Sequence, residues 1–278
     1  MKNRFRIAGG SIIGSDHSKP GKPGAINNQD SFFWKQNDDF LVAIVADGCS
    51  SGKHSEVGAK IGAGILCQLL YKEIENDEDF TSADFWHKAR KHLMNHFSGL
   101  AQGMGISISE IVKNYLLFTI VGVIMTDELT IIFSFGDGVF SIDGELTEIG
   151  PFQRNAPPYI AYHLTGSSVF DSNPDLADFM IHKRVPTNEI TNLVIGTDGV
   201  VDLVAIEDES IPGKFEKIGS INQFFDEKFF KNPDMIRRRL AVINKEVVVD
   251  GRLRAGHLKD DTTLVVIQNS FCQIGGVT

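Results

Sequence analysis

The order of apolar and polar positions divides the chain into strand-like and helix-like stretches. Phe40–Ala46 (FLVAIVA) is a continuous apolar run rich in β-branched residues, the pattern of a strand buried on both faces. A shorter stretch after Arg4 and Arg6, broken by glycines, predicts an earlier strand. From Ser55 the period lengthens. Val57, Ile61, Ile65, Leu69 and Leu70 recur at helical spacing in SEVGAKIGAGILCQLLYKEIEN, which predicts a helix of about five turns. Its alanines and glycines point to close packing against a sheet. A second helix is expected over SADFWHKARKHLMNHFSGLA, with Thr81 or Ser82 as its cap.

From Tyr115 the runs YLLFTIVGVIMT, LTIIFSFGDG, VFSID and LTEIG follow one another, separated by Asp127-Glu128, Asp137-Gly138 and Asp143-Gly144. Such spacing predicts an antiparallel meander. Residues 150–177 are rich in Pro, Gly, Asn and Ser and read as a loop. FMIHKRV and TNLVIGTDG predict two further strands, and a short helix is expected near Val200. Residues 207–232 look irregular or partly helical. NPDMIRRRLAVINKEVV reads as a helix with Pro233 in its first turn, and DTTLVVIQ as the last long strand. With no repeat and no linker, one α+β domain with many antiparallel strands is expected.

Composition narrows the function classes. The 278 residues are 42% hydrophobic and 23% charged, an ordinary globular balance. There are 27 basic and 36 acidic residues, a net charge of −9. Such a chain is a poor match for nucleic-acid phosphates but can hold cations. Cys49, Cys67 and Cys272 form neither a disulfide framework nor a zinc pattern. The longest apolar run, Leu116–Met125, falls far short of the roughly 20 residues of a membrane helix. The first residues lack the apolar core of a signal peptide. A cytoplasmic monomer without membrane or nucleic-acid partners is therefore expected.

Candidate chemistry lies at the strand ends. Asp-Gly closes three apolar runs, at Asp47, Asp137 and Asp198, and Asp260-Asp261 precedes a fourth. Singly, each is a turn signal. Together, carboxylates at the ends of buried strands can converge on one edge, where they repel unless a cation neutralises them. No His/Cys set has zinc spacing, so Mg²⁺ or Mn²⁺ is the matching class. GCSSGKHS tempts a nucleotide-binding reading. However, only three residues separate Gly48 from Gly52, and His54 follows Lys53, which breaks the phosphate-loop pattern. His54 reads as a loop histidine. His92 and His96, among Lys88, Arg90 and Lys91, and the run Arg237–Arg239 read as solvated helix faces.

Five stretches in this order carry a resemblance: NNQDSFF (Asn27–Phe33), VADGCSSGKHSEVGA (Val45–Ala59), FGDGVF (Phe135–Phe140), IGTDGVVD (Ile195–Asp202) and LKDDTTLVVI (Leu258–Ile267). Over nearly its whole length the chain resembles the metal-dependent serine/threonine protein phosphatases of the 2C type, in particular the bacterial branch. The resemblance implies a four-layer αββα sandwich with two central antiparallel sheets, formed as one domain over residues 1–278. The length and composition of residues 150–177 suit a flap facing the substrate. The implied activity is hydrolysis of phosphoserine and phosphothreonine in phosphoproteins, by water activated between two Mg²⁺ or Mn²⁺ ions. Carried over by position, Asp47 would bridge both ions and Gly48 would offer its carbonyl. Asp198 and Asp260 would both ligate one of the two ions. Asp261 falls where the family usually has Asn, so Asp260 fits the ligand slot. Asp30 would stand behind the ligands, and Asp137 and Asp202, with Asp198, would match a third, weaker metal site.

The chain departs from the family at two positions. Ala25 stands where family members carry a phosphate-gripping arginine, and Gln29 replaces an acidic residue. The nearest cationic candidates are His17, Lys19 and Lys22. His17 is preferred, because it lies near the end of the first strand. These departures leave room for a second reading, a catalytically weak module that binds or regulates a phosphoprotein. Retention of Asp47, Asp198 and Asp260 opposes it, since a binding module has no need of three repelling carboxylates.

Overall fold

The computed structural model describes residues 4–18, 27–152, 156–249 and 251–270. Lys19, Lys22, Ala25 and Cys272 lie outside them. The strands are β1 (Phe5–Ile12), β2 (Ser31–Gln36), β3 (Leu41–Gly48), β4 (Phe118–Met125), β5 (Leu129–Phe135), β6 (Gly138–Ile142), β7 (Glu145–Ile149), β8 (Met180–Pro186), β9 (Asn192–Gly196), β10 (Val247–Val249), β11 (Arg252–Arg254) and β12 (Thr262–Asn269). The α-helices are α1 (Ser55–Glu75), α2 (Ala83–Met104), α3 (Ile108–Ile111), α4 (Val169–Ser172), α5 (Gly199–Ala205), α6 (Glu227–Lys231) and α7 (Met235–Ile243).

Two five-stranded antiparallel sheets form the centre, one in the order β2-β3-β4-β5-β8 and the other β1-β12-β9-β6-β7. The reason β3 is apolar throughout is now visible. Leu41, Ala43 and Val45 face the second sheet, where they meet Leu193, Ile195, Val265 and Ile267. Val42, Ile44 and Ala46 face α1 and α2. The far side of the second sheet is covered by Val200, Leu203, Phe229, Ile236 and Leu240 of α5, α6 and α7. The result is the expected αββα sandwich.

Four details differ from the expectation. The meander is interrupted, because β5 does not pair with β6. Instead β5 pairs with β4 and β8, and β6 with β7 and β9. The chain leaves one sheet at Phe135 and enters the other at Gly138, whose φ of +141° is open to glycine. Asp137 thus stands on a crossover between sheets, where a hairpin turn was expected.

The second difference concerns α1. Val57 and Ile61 are exposed at 40% and 37%, and the buried face is Gly58, Ala59, Gly62, Ala63, Leu66, Cys67 and Leu70. A Cβ on Gly58 would lie 1.8 Å from the Tyr115 carbonyl oxygen, and one on Gly62 would lie 2.2 Å from the Phe118 ring. Small residues let the helix sit this close, and they carry too little hydropathy to mark the face.

The third is at α7, which ends at Ile243. The residues beyond it, Val247–Val249, pair with β11 as a short hairpin. Arg239 of this helix is only 19% exposed and donates to Glu216, Gln223 and the Ile218 carbonyl, so it is a clamp within the fold. The fourth is the expected loop at 150–177, which contains helical turns at Ile160–Leu164, α4 and Pro174–Ala177. Among the described residues no helix is long and apolar enough to cross a membrane.

Candidate active site

Each acidic residue of interest sits where a strand ends. β3 delivers Asp47 and Gly48 from the first sheet. The second sheet delivers Asp198, which follows β9 and leads into α5, and Asp260, which precedes β12. Asp137 comes from the crossover. His17 comes from the turn after β1, whose backbone is bonded to the segment before β12: Ser15 N donates to the Leu258 carbonyl and Asp16 N to that of Lys259. Asp47, Gly48, Asp137, Asp198, Asp260 and His17 together line one cleft of about 280 Å³, with Cys49, Thr119, Pro157 and Tyr159 among its walls.

The electrostatics are those of crowded, uncompensated acids. Burial, then the charges of Asp30, Asp198, Asp260 and Asp137, hold the Asp47 carboxyl well above the usual range. Burial, followed by Asp260 and Asp137, pushes Asp198 up to about 7. Asp137 and Asp260 are raised too, chiefly by burial. Asp202 does not line the cleft, but its charge adds to the shifts of Asp198 and Asp260. Asp30 is buried behind the cleft. Its Oδ2 accepts from Thr197 Oγ1 at 2.7 Å, and its Oδ1 has no hydrogen-bond partner. Burial and then Asp261 raise its carboxyl well above the ordinary value.

No lysine or arginine is among the described residues lining this cleft. Carboxylates that repel one another, an orphaned carboxylate oxygen behind them and a backbone carbonyl at Gly48 form an oxygen-rich donor set that fits hard divalent cations.

Two contributors, Asp261 and Tyr159, escaped the sequence reading. Asp261 is 2% exposed. Its Oδ1 accepts from Gly14 N at 2.7 Å and its Oδ2 from Gln29 N at 2.6 Å, so it ties the turn after β1 to the approach to β2. His17 Nδ1 stands 3.1 Å from Asp261 and 3.6 Å from Asp260, and the contact with Asp261, foremost, raises the basicity of His17 against its burial. Tyr159 belongs to a stretch expected to be loop, yet it is 9% exposed. Burial and then the Cys49 thiol carry its hydroxyl far above the ordinary range. Only the acidic pair at 260–261 gave a signal, because consecutive strand-entry residues point to opposite sides.

The decoys lie elsewhere. His54 stacks on Tyr115 with ring centres 5.1 Å apart. His96 Nδ1 lies 2.8 Å from the carbonyl of His92, on the outer side of α2. Burial raises the Cys67 thiol to about 12, which leaves it inert.

The family model of protein phosphatase 2C matches residues 13–248. The chain belongs to that family. Among solved structures, an arginine-to-alanine variant of a bacterial serine phosphatase is similar, with a TM-score of 0.55 and 13% identity, covering 97% of this chain and 100% of that one. The corresponding bacterial serine phosphatase without the substitution gives a TM-score of 0.51 at 15% identity, covering 96% of this chain and 98% of that one. At these identities the likeness is one of fold, the protein phosphatase 2C sandwich. No curated protein matches the chain in sequence.

Proposed function

We propose that the chain is a metal-dependent phosphatase that hydrolyses phosphoserine and phosphothreonine in proteins, as a single catalytic domain over residues 1–278. The observation that carries this reading is the convergence of Asp47, Asp137, Asp198 and Asp260 from two sheets onto one cleft with no lysine or arginine to balance them. Asp47, with the Gly48 carbonyl, Asp198 and Asp260 would hold a core pair of Mg²⁺ or Mn²⁺ ions. Asp137 and Asp202, with Asp198, would hold a third. Bound ions supply charge that offsets phosphoryl oxygens and make water acidic enough to ionise near neutral pH.

The chain's own residues do the rest. Asp30, hydrogen-bonded by Thr197, lies behind the carboxylates and adds to the negative charge that the ions would offset. Asp261 fixes the turn that presents His17 at the cleft. His17 would donate to a phosphate oxygen in place of the arginine that Ala25 does not supply. Pro157 and Tyr159 close one side, and residues 150–177, of which 153–155 lie outside the described residues, would form the flap that meets the phosphoprotein.

The test is hydrolysis of a phosphoserine peptide after chelation and after readdition of Mn²⁺ or Mg²⁺. Activity that appears only with metal, and is lost in Asp47→Asn, is expected. Full activity in the chelated protein, or none with either ion, would overturn the reading.

A further inference from the structure

We propose that His17 is itself a metal ligand, its Nδ1 joining Asp260 Oδ1 and the neighbouring Asp261 carboxylate around one divalent ion. This rests on the metal-dependent reading above and adds to it an imidazole among the carboxylate ligands. Nδ1 of His17, Asp260 and Asp261 offer ligand atoms that all lie within 4.8 Å of one another. Two ligands at right angles, each about 2.1 Å from an ion, stand about 3 Å apart. The observed separations of 3.1 and 3.6 Å from Nδ1 to the two carboxylates are of that size.

Two further observations separate this from a chance meeting of an imidazole with acids. Nδ1 is buried and makes no hydrogen bond, although Asp261 Oδ1 is near. The second observation is the rigidity of the mount. His17 N and Ser18 N both donate to the Gly14 carbonyl, and Ser15 N and Asp16 N donate to the strand-entry carbonyls of Leu258 and Lys259. Asp261 Oδ1 then accepts from Gly14 N. The turn carrying the imidazole and the segment carrying both carboxylates are thus one hydrogen-bonded unit, so ring and acids keep their spacing.

The chemistry has a direction. Imidazole suits Zn²⁺ and the later first-row ions, whereas oxygen donors serve Mg²⁺ and Mn²⁺; of these two, Mn²⁺ is the transition metal and the readier to take a nitrogen ligand. An ion on Nδ1 also leaves the ring's N–H on Nε2, the edge that a phosphate oxygen would use. His17 would therefore bias the site toward the softer ion and fix the tautomer needed for its second role.

The experiment is pulsed electron paramagnetic resonance on the full-length protein loaded with Mn²⁺. Wild type should show nitrogen modulation from a coordinated imidazole, shifted when histidine is labelled with ¹⁵N and absent in His17→Gln. Calorimetric titration should show Mn²⁺ affinity falling about tenfold in His17→Gln, with Mg²⁺ affinity changed less than twofold. The labelling result needs no variant, so it stands if His17→Gln fails to fold. Mn²⁺ that binds without nitrogen modulation, or with modulation that persists in His17→Gln, would overturn the ligand assignment and leave the phosphatase reading intact. Absence of any Mn²⁺ binding would overturn both.

Discussion

Gln29 turns its side-chain nitrogen onto Ser55 Oγ at 2.7 Å. Two carbonyl oxygens, those of Cys49 and Gly52, lie 3.4 and 3.5 Å from the same nitrogen. The side chain standing where family members carry an acid therefore faces three acceptor oxygens, and an amide suits them. It holds the loop after β3 against the start of α1. The departure is adapted to its surroundings.

Gln29→Glu should accordingly be harmful in this chain. A carboxylate there would face the Cys49 and Gly52 carbonyls, and Ser55 already donates to the Cys49 carbonyl at 2.9 Å. A loss of roughly 1–3 kcal/mol is expected for such a buried mismatch, read by chemical denaturation of the metal-free protein. Unchanged stability would show that the amide is not needed.

Without metal, stability should fall as pH rises from about 4 to 7. Asp198 is pushed up to about 7 and Asp47 is also raised. In that window the folded state binds more protons than the unfolded chain, so the derivative of stability with pH is negative. Melting temperature against pH, with and without Mn²⁺, checks this. The ion should raise it more at pH 7 than at pH 5. Asp47→Asn should flatten the metal-free profile and raise its value at pH 7, while lowering turnover by several orders of magnitude. A metal-free profile that climbs toward pH 7 would contradict the crowding.

The segment forming one cleft wall is fastened to α2 by Arg90. Its guanidinium reaches His87 Nδ1 at 2.8 Å, the Ala177 carbonyl at 3.0 Å and His163 Nε2 at 3.0 Å, and Nε is 3.5 Å from Asp178. His163 also stacks on Phe170, with ring centres 4.3 Å apart. Burial, and then the Arg90 charge, lowers the basicity of His163. The neutral ring is the form the fold prefers, so its contribution is complete above about pH 6.5 and is lost as pH falls. Proteolysis within 160–178 should quicken on acidification from pH 7 to 5. Arg90→Ala should quicken it at pH 7, for a local loss of about 1–2 kcal/mol. Equal cleavage at both pH values and in the variant would remove Arg90 from this role.

Within α1, glycines only a few residues apart should respond oppositely. Gly58→Ala drives a methyl into the Tyr115 carbonyl, and a cost of about 1–3 kcal/mol or more is expected. Gly64 has nothing within 4 Å of its would-be Cβ, so Gly64→Ala should stabilise by roughly 0.5–1 kcal/mol. Denaturation midpoints of the two variants decide it.

What was legible in the chain followed from strong apolar runs. β3, β9 and β12 were visible because strands buried on both faces leave no polar alternation, and their ends marked where acids could gather. The buried face of α1 was hidden because it is built from glycine and alanine, while Val57 and Ile61 point outward. The jump at Asp137 was hidden because an Asp-Gly pair between two strands looks the same whether they pair or part. Asp261 and Tyr159 act through distant partners, and nothing local betrays those. Arg239 seemed one of three like neighbours, though its guanidinium alone reaches the carbonyls of Lys217 and Ile218.

The passage from β5 to β6 gives the cleft a mechanical character. Asp47 belongs to one sheet and Asp198 to the other, and the peptide bearing Asp137 is one of the covalent straps between them. An ion gripped from both sides would act as a rivet through the sandwich, and tension applied across its two layers would be resisted first at the chemical centre. Occupancy should then be felt as added cohesion between layers that otherwise meet mainly through apolar side chains.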